Sequence, residues 1–314
     1  MTVAAGPGIT RSALVAELAD VLGAPHEARF IVDEVLGLGL ALGHPDPPTG
    51  PLEEAAVAAA RAMAARRASG EPLQYIFGHW PFRTLDLMVD DRVLIPRPET
   101  EQVVEVALGE ALRLAEGRAS WRGLTERRAG LFVIDVGTGS GAIALALATE
   151  LRAGQVGAVG ATDASTDALV VATSNLEALR ASRRGTLPPV SFYEGSWLEP
   201  LPDAWRGRID LVVSNPPYVS EDEWTVLSPE VRREPRRALV AGSGRDGTPG
   251  LAGVEAVLAQ ARDWLRRPGV VVVELAPHQA DAASELARQL GYAGVRVEPD
   301  LAGRRRALVA RVGG

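Results

Sequence analysis

From Leu131 to the C-terminus the chain repeats one texture: a short run of Val, Ile and Leu, then a longer segment with helical periodicity. The runs are LFVIDV, VGAVGAT, PVSFYE, IDLVVS, GVVVVEL, AGVRVEP and ALVARV. Several are apolar at consecutive positions instead of alternating, as in strands covered on both faces. Strand and helix in alternation predict a doubly wound, mostly parallel sheet with helices on either side, an α/β fold of seven strands.

The first 70 or so residues have another texture. Residues 1–9 are small and read as disordered. Leu14, Val15, Leu18 and Leu22 recur at helical spacing behind the candidate caps Thr10 and Ser12. A second helix is expected over 25–42 and an Ala-rich third over 51–68, with a Pro-rich loop between them. Then WPFRTLDLMVDDRVLIP alternates apolar and polar residues around Asp90 and Asp91, which predicts a β-hairpin turning there. RPETEQVVEVALGEALRLA follows as an amphipathic helix, and residues 116–130 read as a polar loop.

Composition removes several classes of function. There is no Cys, so no disulfide, thiolate nucleophile or Cys metal site, and the four His are scattered with no HExxH-type pair. A net charge of −7 argues against a stand-alone nucleic-acid binder and predicts no stable nucleic-acid partner. No apolar run approaches the roughly 20 residues of a membrane span, and Arg11, Glu17 and Asp20 stand where a signal peptide has its apolar core. The expectation is a cytoplasmic protein.

Two motifs carry chemistry. VIDVGTGSGAIALALA places Gly137, Thr138, Gly139, Ser140 and Gly141 between the first strand of the sheet and a helix. Glycine lets the backbone turn sharply and approach a ligand, beside a helix N-terminus that favours polar groups. Asp163, 22 residues beyond Gly141, ends the second strand, where an acid accepts hydrogen bonds from both hydroxyls of a ribose. The spacing is GxGxG, not the GxGxxG usual for nicotinamide cofactors. Asp135, two residues before the loop, either organises it or meets the amino-acid end of a cofactor. The second motif, VVSNPPYVS, ends the fourth strand on Asn215, Pro216, Pro217 and Tyr218. Pro-Pro ends any strand, because neither nitrogen can donate to a ladder.

The GTGSG loop with its two acids resembles the S-adenosylmethionine-dependent class I (Rossmann-like) methyltransferases. That resemblance sets the NPPY strand beside the glycine-loop strand, facing the cofactor's methyl group. It implies that the Asn215 side chain and the backbone carbonyl of Pro216 accept the two N–H bonds of a planar NH2 group, on which Tyr218 stacks. The stacking calls on the ring of Tyr218 and not its hydroxyl. NPPY by itself leaves adenine and glutamine open as substrates.

RRASGEPLQYIFGHWPF, VLIPRPETEQVVE, IDVGTGSGAIALALA and VVSNPPYV occur in that order. Together, over about residues 11–312, they resemble the family that methylates the glutamine of the GGQ motif in class 1 peptide chain release factors, also called HemK or PrmC. The resemblance implies a helical substrate-recognition domain over 1–75, a hairpin linker over 76–98 and a methyltransferase domain over 99–314. It implies S-adenosyl-L-methionine as cofactor, S-adenosyl-L-homocysteine as product, a release factor as partner and a monomeric enzyme. The cofactor contacts it implies are Asp135, Gly137 to Gly141, Asp163, Trp197 and Asn215. Asn215, Pro216 and Tyr218 carry the catalysis, with Pro217 also binding substrate; no metal is implied. PRPETE lies along the entrance, with Arg97 and Glu99 functional or a structural ion pair. Arg232, Arg233, Arg236 and Arg237 form a basic cluster, either a solvated face or a contact for an acidic partner. The rival readings are a ribosomal-protein glutamine methyltransferase and an adenine-N6 nucleic-acid methyltransferase.

Overall fold

The structure, a computed structural model, describes residues 8–39, 48–120, 130–151, 155–183 and 185–313. The expectations for residues 1–7, for the stretch 40–47 and for 121–129 of the polar loop fall outside these residues; at 116–120, expected in that loop, the chain is still helical, because the preceding helix runs on to Ser120. The chain divides into two compact units, one of Met1–His79 with Pro229–Arg233, the other of Trp80–Ser228 with Glu234–Gly314.

The smaller unit holds helices α1 (Arg11–Leu22), α2 (Pro25–Val35), α3 (Glu54–Ala68) and α4 (Leu73–Phe77). Thr10 caps α1, its hydroxyl accepting from the Ala13 N–H at 3.4 Å. Leu14, Leu18, Ile31, Val32, Val57 and Leu73 close one apolar core among the four. α2 stops at Val35, short of the expected residue 42. Gly37 follows in the left-handed region, and the Leu38 N–H turns back to the Asp33 carbonyl, which ends the helix.

Strands β1 (His79–Phe82), in the larger unit from Trp80 on, and β2 (Leu85–Met88) pair in a two-stranded sheet. They turn at Arg83–Thr84, not at Asp90–Asp91. Arg83 adopts φ 53°, and its side chain is held by Glu150 and Glu105. Tertiary ion pairs thus place the turn on residues with little turn preference of their own. After β2 come α5 (Pro98–Ser120), β3 (Leu131–Val136), α6 (Ala142–Glu150), β4 (Val156–Asp163), α7 (Thr166–Ser182), β5 (Val190–Glu194), β6 (Ile209–Ser214), α8 (Glu221–Val226), α9 (Arg236–Leu239), α10 (Ala252–Trp264), β7 (Leu265–Glu274), α11 (Ala280–Gln289), β8 (Gly294–Pro299) and β9 (Arg305–Val312).

The seven strands of the main sheet run in the order β5-β4-β3-β6-β7-β9-β8. The first five are parallel, and β9 is antiparallel to both neighbours. The Val run of β7 shows why both faces are apolar. Val270 and Val272 pack with α5 and α6, while Val271 and Val273 pack with α10 and α11. Strand order reverses beside β3, and β6 lies next to it, so the loops after β3 and β6 meet at the carboxyl edge where doubly wound sheets bind ligands.

Candidate active site

All three loop glycines, Gly137, Gly139 and Gly141, have positive φ (76°, 57° and 85°). The GxGxG spacing therefore meets a backbone demand that other residues resist. The polar residues of the loop hold its shape from behind. Asp135 is fully buried, and its Oδ2 accepts from the Thr138 hydroxyl at 2.6 Å and from the Ala144 N–H at 3.1 Å. Asn175 donates to the Ser140 carbonyl at 2.9 Å. Burial pushes the Asp135 carboxyl up to about 7.

The loop opens on a cleft of ≈ 230 Å³. Of the sequence-predicted residues, Gly137, Gly139, Asp163, Trp197, Asn215 and Pro217 line it, whereas Asp135, Thr138, Ser140 and Gly141 do not. Of the two roles open to Asp135, the structure displays the first, organising the loop. Asp163 accepts from the Gly139 N–H at 2.9 Å through Oδ2 and from the Ser165 N–H at 2.8 Å through Oδ1. Burial pushes this carboxyl up, against the pull of those N–H groups and of the Arg237 charge. Trp197 adopts φ 51°, a rare conformation for a bulky residue that tends to mark functional sites. Arg92, Thr162 and Arg237 also line the cleft, and the motifs pointed to none of them as cofactor contacts.

A second, smaller cavity adjoins the motif, lined by Leu94, Arg97, Asn215, Pro216, Tyr218 and their neighbours. Pro216 and Tyr218 face it and Pro217 faces the cleft, the alternation of an extended run. Two prolines in succession keep the run extended. The motif is thus a thin wall between two cavities, and Asn215 lines both.

Behind the wall stands Glu274, at the end of β7 and fully buried. Its Oε2 accepts from the Thr100 hydroxyl at 2.7 Å, and its Oε1 accepts from the Tyr218 hydroxyl at 3.1 Å. Thr100 in turn accepts from the Asn215 side-chain N–H at 3.1 Å. Burial pushes the Glu274 carboxyl up, against the pull of Thr100, Arg306 and Tyr218. Burial and the Glu274 charge push the Tyr218 phenol up as well, so it stays protonated and able to donate. Sequence reasoning missed Glu274 and the anchoring of the Tyr218 hydroxyl on it. The carbonyl of Tyr218 is held from the far side by Gln279 at 3.0 Å.

Arg97 and Glu99 do not pair with each other. Arg97 bonds to buried Glu234, and Glu99 meets Arg304 at 3.0 Å. The Arg cluster also divides. Arg233 donates to the Ser69 carbonyl at 2.6 Å, Arg236 pairs with Glu221, and Arg237 bonds to Ser165 at the rim of the cleft.

The chain matches two known families, "PrmC N-terminal domain" over residues 10–78 and "Methyltransferase small domain" over residues 123–242. It is similar to the release factor glutamine methyltransferase of Bordetella pertussis, at 39% identity over 88% of this chain and 91% of that protein. The proteins of the same name from Chlorobaculum tepidum (41%; 87% and 85% covered) and Geobacter sulfurreducens (38%; 91% and 89%) are similar to it as well. With identity at this level over most of both chains, this protein belongs to the release factor glutamine methyltransferase family.

Proposed function

We propose that the protein transfers a methyl group from S-adenosyl-L-methionine to the side-chain amide nitrogen of the GGQ glutamine in class 1 peptide chain release factors. S-adenosyl-L-homocysteine is then the product. The observation that carries this reading is Asn215, which lines both cavities and has its N–H end tied to Thr100.

The residues of the larger cleft fit the cofactor. Asp163 offers a carboxyl to ribose hydroxyls, Gly137 and Gly139 admit close approach, and Trp197 supplies an apolar wall. When bound there, S-adenosylmethionine supplies an electrophilic methyl group. A carboxamide nitrogen is a weak nucleophile, because its lone pair is delocalised into the carbonyl. In the smaller cavity the Asn215 side-chain carbonyl and the Pro216 carbonyl accept its two N–H bonds, and the Tyr218 ring supports its plane. Those acceptors fix the nitrogen facing the larger cleft and stabilise the positive charge that grows on it. Orientation and electrostatics do the work in this scheme, with no general base in the wall itself; the methylated nitrogen gives up its surplus proton to solvent.

The helical segment 1–75 is assigned to recognition of the protein partner, the hairpin segment 76–98 to the link, and 99–314 to cofactor binding and catalysis. The enzyme acts as a monomer in the cytoplasm on a protein, with no stable nucleic acid. Peptide mass spectrometry of a class 1 release factor, after incubation with the protein and S-adenosylmethionine, tests the reading. One added methyl on the GGQ glutamine is expected. Label on ribosomal proteins or on adenine, with the release factor unmodified, would overturn it.

A further inference from the structure

The two ends of the NPPY wall lead to one buried carboxylate. Glu274 receives the hydroxyls of Thr100 and Tyr218 on its two oxygens, and Thr100 touches Asn215. A hydroxyl carries a single proton, and Thr100 directs its own at Glu274 Oε2. At 2.7 Å the Thr100 hydroxyl donates to Glu274 Oε2, and on its other side it meets the Asn215 N–H at 3.1 Å. That proton is therefore committed to Glu274, and what Thr100 turns toward Asn215 is a lone pair.

We propose that Thr100 is a positioning residue whose hydroxyl, polarised by Glu274, admits only the N–H end of the Asn215 amide and so presents its carbonyl oxygen to the substrate. An amide is nearly symmetric in shape, and sterics alone do not choose between its two orientations. With the amide reversed, carbonyl oxygen meets hydroxyl lone pair, a bond is lost, and the NH2 group faces the NH2 group of the incoming carboxamide. The hydrogen-bond polarity of the relay breaks the symmetry. Sheet register brings the relay together: Ser214 of β6 lies opposite Val273 of β7, so Asn215, just past β6, comes beside Glu274, the last residue of β7. Thr100 arrives from the first turn of α5, in PRPETE, which gives the threonine of that stretch a role.

The inference rests on the acceptor role proposed for Asn215, and the experiment separates the two. Single-turnover methyl transfer to release factor is measured for Thr100→Val, Thr100→Ser, Asn215→Ala and the Thr100→Val/Asn215→Ala pair. Affinity for S-adenosylmethionine is measured alongside by calorimetry. Thr100→Val keeps the shape and loses the hydroxyl, so its rate is expected to fall roughly 10- to 100-fold, as for leaving a buried hydrogen-bonding group without its partner. KM for release factor and cofactor affinity are expected to stay within about twofold, because Thr100 touches neither ligand in this reading. Thr100→Ser restores the hydroxyl and most of the rate. The double variant is no slower than Asn215→Ala, since the relay acts only through that amide. Should Thr100→Val fail to fold, Thr100→Ser against Thr100→Ala repeats the comparison, as those two differ only in the hydroxyl. An unchanged rate without the hydroxyl, or a loss that adds in full to that of Asn215→Ala, overturns the relay and leaves the reading of Asn215 standing. A normal rate for Asn215→Ala overturns both.

Discussion

Gly253 lies in the first turn of α10, against the NPPY wall, and lines neither of the two cavities described above. A β-carbon there would lie 2.6 Å from the Pro217 carbonyl oxygen, 3.2 Å from the Pro216 Cβ and 3.4 Å from the Trp197 ring. Ordinary contact begins near 3.4 Å, so the wall must retreat by roughly 0.8 Å to admit an alanine. Two effects on stability oppose each other. Alanine favours a helix over glycine by about 1 kcal/mol, and overpacking costs about 1–3 kcal/mol. The net change is a loss of roughly 0–2 kcal/mol, which leaves the protein folded. Activity has no such compensation, because the displaced Pro216 and Pro217 carry with them the Pro216 carbonyl assigned to orient the substrate amide. A misplacement near 1 Å costs on the order of 100-fold in rate. Gly253→Ala is therefore expected to melt close to the parent while its single-turnover methyl transfer to release factor falls about 100-fold. Full activity in the folded variant would show that the wall tolerates such a shift and would refute the positioning argument.

Asp163→Ala removes a charged acceptor from the larger cleft, so S-adenosylmethionine affinity should drop by about 1.5–3 kcal/mol; unchanged calorimetric affinity would count against the ribose assignment. Tyr218→Phe leaves Glu274 Oε1 without its hydroxyl donor, at a cost of about 1–3 kcal/mol in stability; a denaturation midpoint equal to the parent's would mean the bond is immaterial. Burial holds Asp135 at about 7, above its ordinary 3.8, so its contribution to stability is full below about 3.8 and is lost as pH rises through about 7. Each tenfold gain in proton affinity on folding is worth about 1.4 kcal/mol, so the stability of the parent relative to Asp135→Asn should fall by up to roughly 4 kcal/mol between pH 4 and pH 8; a difference in urea unfolding that stays constant across that range would be the contrary result.

The parts legible in the sequence were those written in consecutive residues. The Val/Ile/Leu runs gave the sheet because double-sided burial leaves no polar alternation to obscure them. The glycine loop was legible because three positive φ angles in five residues demand glycine. The hairpin turn was misplaced because Asp90–Asp91 has the better turn chemistry, while Arg83 is held by acids from α5 and α6 that only the folded chain brings near. The relay was hidden for a related reason. Thr100 and Glu274 are 174 positions apart, and the register between β6 and β7 decides that Glu274 emerges beside Asn215. One signal was available: a lone acid closing a run of four valines at the carboxyl edge of a doubly wound sheet, where ligands bind.

Asn215→Asp tests the wall from its chemical side. The substitution keeps two oxygens in place of one oxygen and one NH2 group, so a simple acceptor model predicts an enzyme as good as the parent or better. The surroundings predict otherwise. Thr100 has already given its proton to Glu274 and offers only a lone pair, so an ionised aspartate finds no donor on that side. It also places a negative charge beside Glu274, a fully buried carboxyl whose own ionisation burial already opposes. The new side chain must swing away from Thr100, the substrate nitrogen loses its in-line acceptor, and turnover is expected to fall about 10²- to 10³-fold at neutral pH. Protonation reverses the argument. A neutral carboxylic acid has one O–H to donate to Thr100 and one carbonyl to present to the substrate, the same polarity as asparagine. The variant's rate relative to the parent should therefore climb as pH is lowered, reading single-turnover transfer at saturating cofactor. A variant with parental activity at neutral pH would mean that a bare acceptor suffices at position 215 and that the orientation of the amide carries no catalytic weight.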